Sequence, residues 1–124
     1  MSGGSFQARV EAWLVACFGE GTTATSTTER NFRFLEEALE LVQACGMTKG
    51  DVLQLVDYTF DRAPGEGRKE VGDSMLTLAA LCFTHGFDME AECEAVLERA
   101  WKNIEIIRAK QASKLQGTPL PGAA

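Results

Sequence analysis

Apolar residues recur every three or four positions along most of this chain, which is the spacing of one face of an α-helix. No convincing run alternates apolar and polar residues in the way that a half-buried strand does. The pattern therefore predicts an all-α fold, built as an antiparallel bundle of about five helices. The predicted helices cover about residues 6–18, 27–45, 49–60, 68–85 and 89–115.

Cap residues mark the ends of these helices. Ser26 stands three positions before Glu29, which is the spacing of a capping box and predicts a helix start near residue 27. Thr48 and Asp88 are placed to cap the third and fifth helices in the same way. Gly46 suits the position after a helix end, where the backbone turns into the left-handed region.

The two ends of the chain set the predicted domain bounds. Residues 1–5 are small and are expected to be flexible, and residues 116–124 contain two prolines without periodicity and are expected to form a disordered tail. Residues 6–115 then form a single helical domain, a size that one core can support. Within it, residues 22–28 and 61–67 are predicted loops, because Thr, Ser, Gly and Pro interrupt the helical pattern.

Charge and cysteine usage narrow the classes of function. The formal net charge is −6, and phosphate backbones need Lys and Arg to replace their counterions, so we expect no nucleic-acid polymer as a partner. The four cysteines form no C-x-x-C pair and are expected to be reduced thiols. No apolar run approaches the ~20 residues of a membrane span, and no signal-peptide pattern is present. We therefore expect a cytoplasmic protein without membrane contact.

Two acidic clusters carry the predicted chemistry. Glu36, Glu37 and Glu40 are spaced to point to nearly one side of a helix. Glu70 and Asp73 are three apart on a later helix. No Lys or Arg follows four positions after either cluster, and carboxylates facing one another without a counter-charge need a cation. Hard oxygen ligands favour Mg²⁺ or Mn²⁺.

Each cluster on its own is also common on a solvated helix face, so this alternative stays open. Gly72 lies between the acids of the second cluster and favours a binding site over a solvated helix face. A glycine within a helix costs about 1 kcal/mol relative to alanine. Such a residue is expected where a neighbouring backbone or a ligand comes close.

The chain resembles the MazG-like, all-α nucleotide pyrophosphohydrolase superfamily. More narrowly, it is similar to phage and bacterial dATP/dGTP pyrophosphohydrolases of the MazZ type. The resemblance implies that the chain hydrolyses purine deoxynucleoside triphosphates to the monophosphate and pyrophosphate, with two or three Mg²⁺ or Mn²⁺ ions per site. The matching segments are Glu37-x-x-Glu40, Glu70-x-x-Asp73, residues 31–46 and residues 107–111.

The resemblance also implies roles for individual residues. Glu36 and Glu37 are the predicted catalytic residues, which bind a metal or orient the attacking water. The predicted metal ligands are Glu36, Glu37, Glu40, Glu70 and Asp73. Basic groups should hold the phosphates, and an amide and an aromatic ring should hold the base. These predicted substrate-binding residues are Asn31, Arg33, Trp101, Lys102, Arg108 and Lys110.

Several alternatives remain open from the sequence. The same site could take dUTP or dCTP, or the chain could be a non-catalytic helical interaction module whose acids lie on the surface. Each basic candidate could be a solvated charge, and Trp101 could belong to the core. The apolar stripes are broad for a chain of 124 residues, so a homodimer or homotetramer is expected to bury the excess.

Overall fold

The computed structural model describes residues 3–20 and 26–117. These residues form α-helices joined by short turns, with no strand among them, which confirms the predicted all-α class. The helices number six in the described part of the chain, where the sequence predicted about five. They are α1 (Phe6–Phe18), α2 (Thr27–Ala44), α3 (Lys49–Phe60), α4 (Gly67–His85), α5 (Met89–Lys102) and α6 (Ile104–Gly117).

Most helix ends lie where the cap residues predicted them. The Ser26 Oγ accepts a hydrogen bond from the backbone N–H three residues later, at 3.2 Å. Thr48 and Asp88 accept equivalent bonds at 3.2 and 3.0 Å. Gly46 has a φ of +96°, a conformation that suits glycine after a helix end. These bonds confirm the predicted starts of α2, α3 and α5.

The prediction of one long helix over residues 89–115 is wrong, because the helix is interrupted at Asn103. The Asn103 side-chain amide donates to the carbonyl of Arg99 at 2.8 Å, and its backbone N–H bonds to Ala100 at 3.3 Å. Asparagine offers such side-chain-to-backbone bonds in competition with the helix. Its carbonyl then accepts from the N–H of Ile107 at 3.0 Å, which begins α6.

The chain divides into two compact units. The first, here called the terminal unit, contains Met1–Glu37 and Glu94–Ala124, and the second, the central unit, is Ala38–Cys93. The predicted domain bounds at residues 6 and 115 stay a prediction. Helix α6 continues to Gly117, and the residues after it, like residues 1 and 2 and part of the predicted loop 22–28, lie outside the described part.

In the terminal unit, α1 is joined to α6 by Arg108. Its guanidinium donates to the carbonyl of Cys17 and, at 3.1 Å, to that of Ala16. These carbonyls lie in the last turn of α1, where a cation is favourable because the helix ends there with unpaired acceptors. Burial raises the pKa of the Cys17 thiol, and all four cysteines are free, as the sequence predicted.

The central unit buries little of its own apolar surface. Of its residues, all of which the structure describes, Cys82 alone is buried. Several of its side-chain hydrogen bonds, such as that of Lys69 to Asp73, join residues only three or four positions apart. Large apolar side chains of α3 and α4 instead face outward.

Candidate functional surfaces

One turn of α2 brings together the first predicted acidic cluster. The ligand oxygens of Glu36, Glu37 and Glu40 all lie within 4.8 Å of one another. Glu36 is half-buried and accepts a hydrogen bond from Arg33 at 3.2 Å, while the other two residues are exposed. Three carboxylates this close can supply hard oxygen ligands to one divalent cation.

The second predicted cluster, on α4, is not part of that group, which holds no other His, Cys, Asp or Glu of the described residues. Asp73 pairs with Lys69 at 2.7 Å. A hydrogen bond from Lys69 to Asp73, together with the charges of Asp73 and Glu70, raises the pKa of Lys69. The expectation of acids without a counter-charge is therefore wrong for this cluster. The lysine stands four positions before Asp73, whereas the prediction depended only on the positions after each cluster.

Gly72 has no close neighbour within the described chain. A Cβ added there would find no heavy atom within 4 Å outside its own helix backbone. The close approach that the sequence predicted is thus not made by any described residue. Leu76, one turn later, is 71% exposed, and the side of α4 that carries both residues is open to solvent.

The predicted substrate-binding residues are spread over several elements. Lys102 pairs with Glu98 at 3.3 Å on an exposed face of α5. Asn31 on α2 and Lys110 on α6 are exposed. Arg108 is engaged by the carbonyls of α1 described above. Trp101 is 44% exposed and lies beside Lys102 in the chain.

A buried ionic cluster at the start of α2 was not predicted. Glu29 is 3% exposed, and its Oε1 lies 3.3 Å from the Arg30 Nη2 and 3.8 Å from the Arg33 Nε. The Nε atoms of both arginines and the Nη2 of Arg33 are buried without a hydrogen-bond partner. The i, i+4 spacing of Glu29 and Arg33 was the available signal, but Glu29 had been interpreted as a capping residue.

The terminal unit also carries an open groove of about 370 Å³ between α1 and α5. Its floor includes Leu97, which is 7% exposed. Arg9 and Glu94 form an ion pair across it. The groove is lined by Arg9, Ala12, Glu94, Leu97, Glu98 and Trp101.

The most exposed of the large apolar side chains lie on α3 and α4 of the central unit. Phe83 is 87% exposed and Phe60 is 83% exposed. Exposed apolar residues that form one large contiguous patch mark an interaction site, whereas single exposed apolar residues are ordinary. The exposed set is Leu53, Leu55, Val56, Tyr58, Phe60, Val71, Met75, Leu76 and Phe83.

Among the helices that the structure describes, none combines the length and the apolar character that crossing a bilayer requires.

Comparison with known proteins decides the family. No family model matches the chain, and no solved structure matches it. The chain is 35% identical over 82 residues to the exodeoxyribonuclease 7 small subunit of Rhizobium rhizogenes, and the match covers 61% of this chain and 99% of that relative. The chain belongs to the exodeoxyribonuclease 7 small-subunit family.

This membership corrects the sequence-based identification. The resemblance to MazG-like pyrophosphohydrolases, the predicted hydrolysis of nucleoside triphosphates and the predicted diphosphatase activity are wrong, because the family is that of a nuclease subunit. Two acidic pairs at helical spacing are a weak signal, since glutamate is a good helix former and such pairs are common on helix surfaces. The expectation that no nucleic-acid polymer is a partner is wrong too, since the relative is named as a subunit of an exodeoxyribonuclease.

The predicted site residues are affected differently by this correction. Glu36, Glu37 and Glu40 do lie together, and their role as cation ligands stays a prediction. The catalytic and substrate-binding roles were implied by the pyrophosphohydrolase resemblance, and they lose that basis with it.

Proposed function

We propose that this chain is a non-catalytic small subunit of an exodeoxyribonuclease and that its role is to bind a larger subunit of that enzyme. The 35% identity to a small subunit, in a match that covers 99% of that relative, supports the proposal. In this proposal, DNA is the substrate of the complex that the two subunits form. The proposal develops one alternative that the sequence left open, a helical interaction module, and we expect the assembly in the cytoplasm.

The observation that carries the proposal is the outward-facing apolar surface of α3 and α4. Leu76 and Phe83 are seven residues apart and Gly72 precedes Leu76 by four, so the three share one face of α4. Leu76 and Phe83 are 71% and 87% exposed. Full burial of a leucine or phenylalanine side chain stabilises by about 1.5–3 kcal/mol. A partner that covers this face therefore gains a large part of its binding free energy there.

The antiparallel bundle predicted from the sequence fits this proposal in a modified form. The apolar faces of α3 and α4 have the periodicity of bundle helices, but residues 38–93 bury little of them. We propose that helices of the larger subunit supply the missing layers, so that the bundle is completed between two different chains. The arrangement buries the same side chains that a self-contained bundle would bury.

The divalent cation is retained as a separate proposal without hydrolysis. We propose that one Mg²⁺ or Mn²⁺ ion binds at Glu36, Glu37 and Glu40, whose oxygens lie within 4.8 Å of one another. The test is the melting temperature with and without 2 mM Mn²⁺, compared with Glu40→Gln and with Glu92→Gln on α5. Mn²⁺ should raise the melting temperature of the wild type and of Glu92→Gln but not of Glu40→Gln. Equal shifts in all three chains would contradict the site.

The main experiment is reconstitution with the larger exodeoxyribonuclease 7 subunit of the same cell. The two purified chains should form a complex, and the complex should degrade linear DNA faster than the larger subunit alone. Phe83→Glu should weaken the complex by about 30-fold or more, because a central aromatic anchor contributes at least about 2 kcal/mol. Binding is measured by calorimetry or by a sedimentation titration.

Thr84→Glu is the matched control for that variant. It adds the same charge to the same helix one residue away, where the Thr84 hydroxyl donates only to the carbonyl of Ala80 at 3.0 Å. The circular dichroism of both variants should match the wild type, because both positions are exposed. A wild-type chain that does not bind the larger subunit contradicts the proposed function. A Phe83→Glu variant that binds as tightly as Thr84→Glu contradicts the proposed surface.

A further inference from the structure

The groove between α1 and α5 combines an apolar floor with an excess of negative charge. Leu97 forms part of the floor, and Trp101, which also lines the groove, is 44% exposed. Among the described residues that line the groove, the charged ones are one arginine and two glutamates, which together carry one net negative charge. All of these residues belong to the terminal unit, whereas the exposed apolar residues of α3 and α4 belong to the central unit.

One of the two glutamates is already neutralised within the groove. Arg9 donates to both carboxylate oxygens of Glu94, in one case at 2.7 Å. The hydrogen bond from Arg9 and the charge of its guanidinium lower the pKa of Glu94 against a smaller opposing effect of burial. A paired guanidinium and carboxylate of this kind satisfy each other's hydrogen bonds.

The second glutamate is held only loosely. Glu98 pairs with Lys102 at 3.3 Å, and both side chains are about 70% exposed. A solvent-exposed pair four residues apart on a helix stabilises by only about 0.3–0.5 kcal/mol. A cation from another molecule can therefore displace Lys102 at little cost, which leaves Glu98 as the unsatisfied charge of the groove.

We infer that this groove binds an arginine side chain of the larger subunit, with its guanidinium over the Trp101 indole and paired with Glu98. The inference rests on the proposed function for the identity of the partner. Arginine fits best because its planar guanidinium stacks on an aromatic face and pairs with a carboxylate at the same time. Its aliphatic stem can lie along Leu97 while the charged end remains near the rim.

A short peptide tests the chemistry of the groove without the nuclease. The chain has two tryptophans, so Trp13→Phe leaves Trp101 as the only indole. That change breaks no hydrogen bond, because the Trp13 Nε1 has no partner. The probe is acetyl-Ala-Leu-Arg-Leu-Ala-amide, and its matched control carries citrulline, which is uncharged, in place of arginine. Binding is followed by the fluorescence of Trp101.

The arginine peptide should give a saturable change in Trp101 emission. Citrulline should weaken binding by about fivefold or more, because a cation–π contact and an ion pair are lost together. Glu98→Gln should weaken binding of the arginine peptide to the same extent. Glu11→Gln removes the same charge from an α1 residue that does not line the groove, and it should leave binding unchanged. Equal binding of the two peptides, or no saturation with either, would overturn the inference.

Reconstitution separates this inference from the proposed function. Glu98→Gln should weaken the complex with the larger subunit by about fivefold at low salt, and Glu11→Gln should not. If Phe83→Glu weakens the complex but Glu98→Gln does not, the groove inference is overturned while the proposed function stands. If the wild-type chain does not bind the larger subunit, the proposed function falls and the peptide titration decides whether the groove binds arginine.

Discussion

The terminal and central units use their side chains in different ways. In the terminal unit, Arg9 pairs with Glu94 and Arg108 bonds to the end of α1, so residues more than 80 positions apart in the sequence are joined. In the central unit, ion pairs such as Lys69 with Asp73 are local. The terminal unit therefore has internal long-range contacts that order it. The central unit leaves its large apolar side chains on α3 and α4 exposed.

This difference predicts that polar substitutions affect the folding of one unit and the binding of the other. Unpartnered apolar faces contribute to stability only when a partner covers them, because burial removes apolar area from water. A buried ionic cluster contributes within the chain itself. The variants below test this division.

The largest expected effect on folding is that of Glu29→Gln in the terminal unit. The change removes a carboxylate that is 3% exposed and lies between two arginines. Arg30 and Arg33 would then lose the carboxylate between them, and Arg33 would keep its pair with Glu36. Loss of one partner of a buried pair costs about 3–5 kcal/mol. Because Arg30 is one-third exposed, we expect a loss of about 2 kcal/mol in the free energy of unfolding, measured with urea.

Glu40→Gln is the control for that variant. It makes the same chemical change on the same helix, but at an exposed residue of the acidic cluster. Relief of repulsion between carboxylates should leave stability unchanged or raise it by a few tenths of a kcal/mol. Equal losses in the two variants would show that the buried cluster has no special role.

A smaller effect is expected from Gly72→Ala in the central unit. The change should raise the stability of the isolated chain and weaken its binding to the larger subunit. Alanine should stabilise the isolated chain by about 1 kcal/mol, because glycine is a poor helix former and the new Cβ meets no neighbour within 4 Å. A partner helix that packs closely over Gly72 would be displaced by that Cβ. We therefore expect weaker binding of the larger subunit by Gly72→Ala, measured by the same titration as Phe83→Glu.

The two readouts of Gly72→Ala separate the explanations for this glycine. Gain of stability together with unchanged binding would show that no partner approaches the residue closely. Loss of stability in the isolated chain would show that a contact within the chain requires the glycine.

The smallest effect is expected from the pH dependence of the Arg9–Glu94 pair. The hydrogen bond and charge of Arg9 lower the pKa of Glu94 below its ordinary value of 4.5. A carboxyl group whose pKa is lower in the folded state stabilises that state above its unfolded pKa, and the contribution is lost as the pH falls through the folded pKa. The melting temperature of the wild type should exceed that of Glu94→Gln near pH 7.

That difference should disappear below the folded pKa of Glu94. Melting curves between pH 3 and pH 7 check this, and Glu92→Gln on the same helix serves as the control. A difference that persists unchanged in acid would mean that Glu94 stabilises through packing and not through its charge.

Local patterns determined the helices because the interactions that end and begin a helix join residues three or four positions apart. The caps at Ser26, Thr48 and Asp88 and the turn at Gly46 are of this kind, and all four were predicted. The break at Asn103 is also local. It depends on whether the Arg99 carbonyl accepts its hydrogen bond from the Asn103 side-chain amide or from a backbone N–H of the helix. The apolar stripe continues across Asn103, so the apolar pattern alone predicted one unbroken helix.

The candidate site was predictable only in part. The three acids of α2 share one helix turn, so their spacing placed them together. The acids of α4 were expected to lack a counter-charge, and Lys69 supplies one from the preceding turn. The proposed hydrolase depended on a resemblance between short acidic motifs, which helical periodicity alone can produce. Similarity across nearly the whole of a relative overturned it.

By itself, the sequence determined the helical class, the starts of α2, α3 and α5, and the grouping of three carboxylates, because each depends on neighbours along the chain. Tertiary structure decided which polar residues are buried and which apolar residues are left uncovered. Glu29 and Glu40 are both glutamates of α2, yet one is enclosed by arginines and the other is exposed. Burial depends on what packs against a side chain, and that is set by residues far away in the sequence or in another molecule.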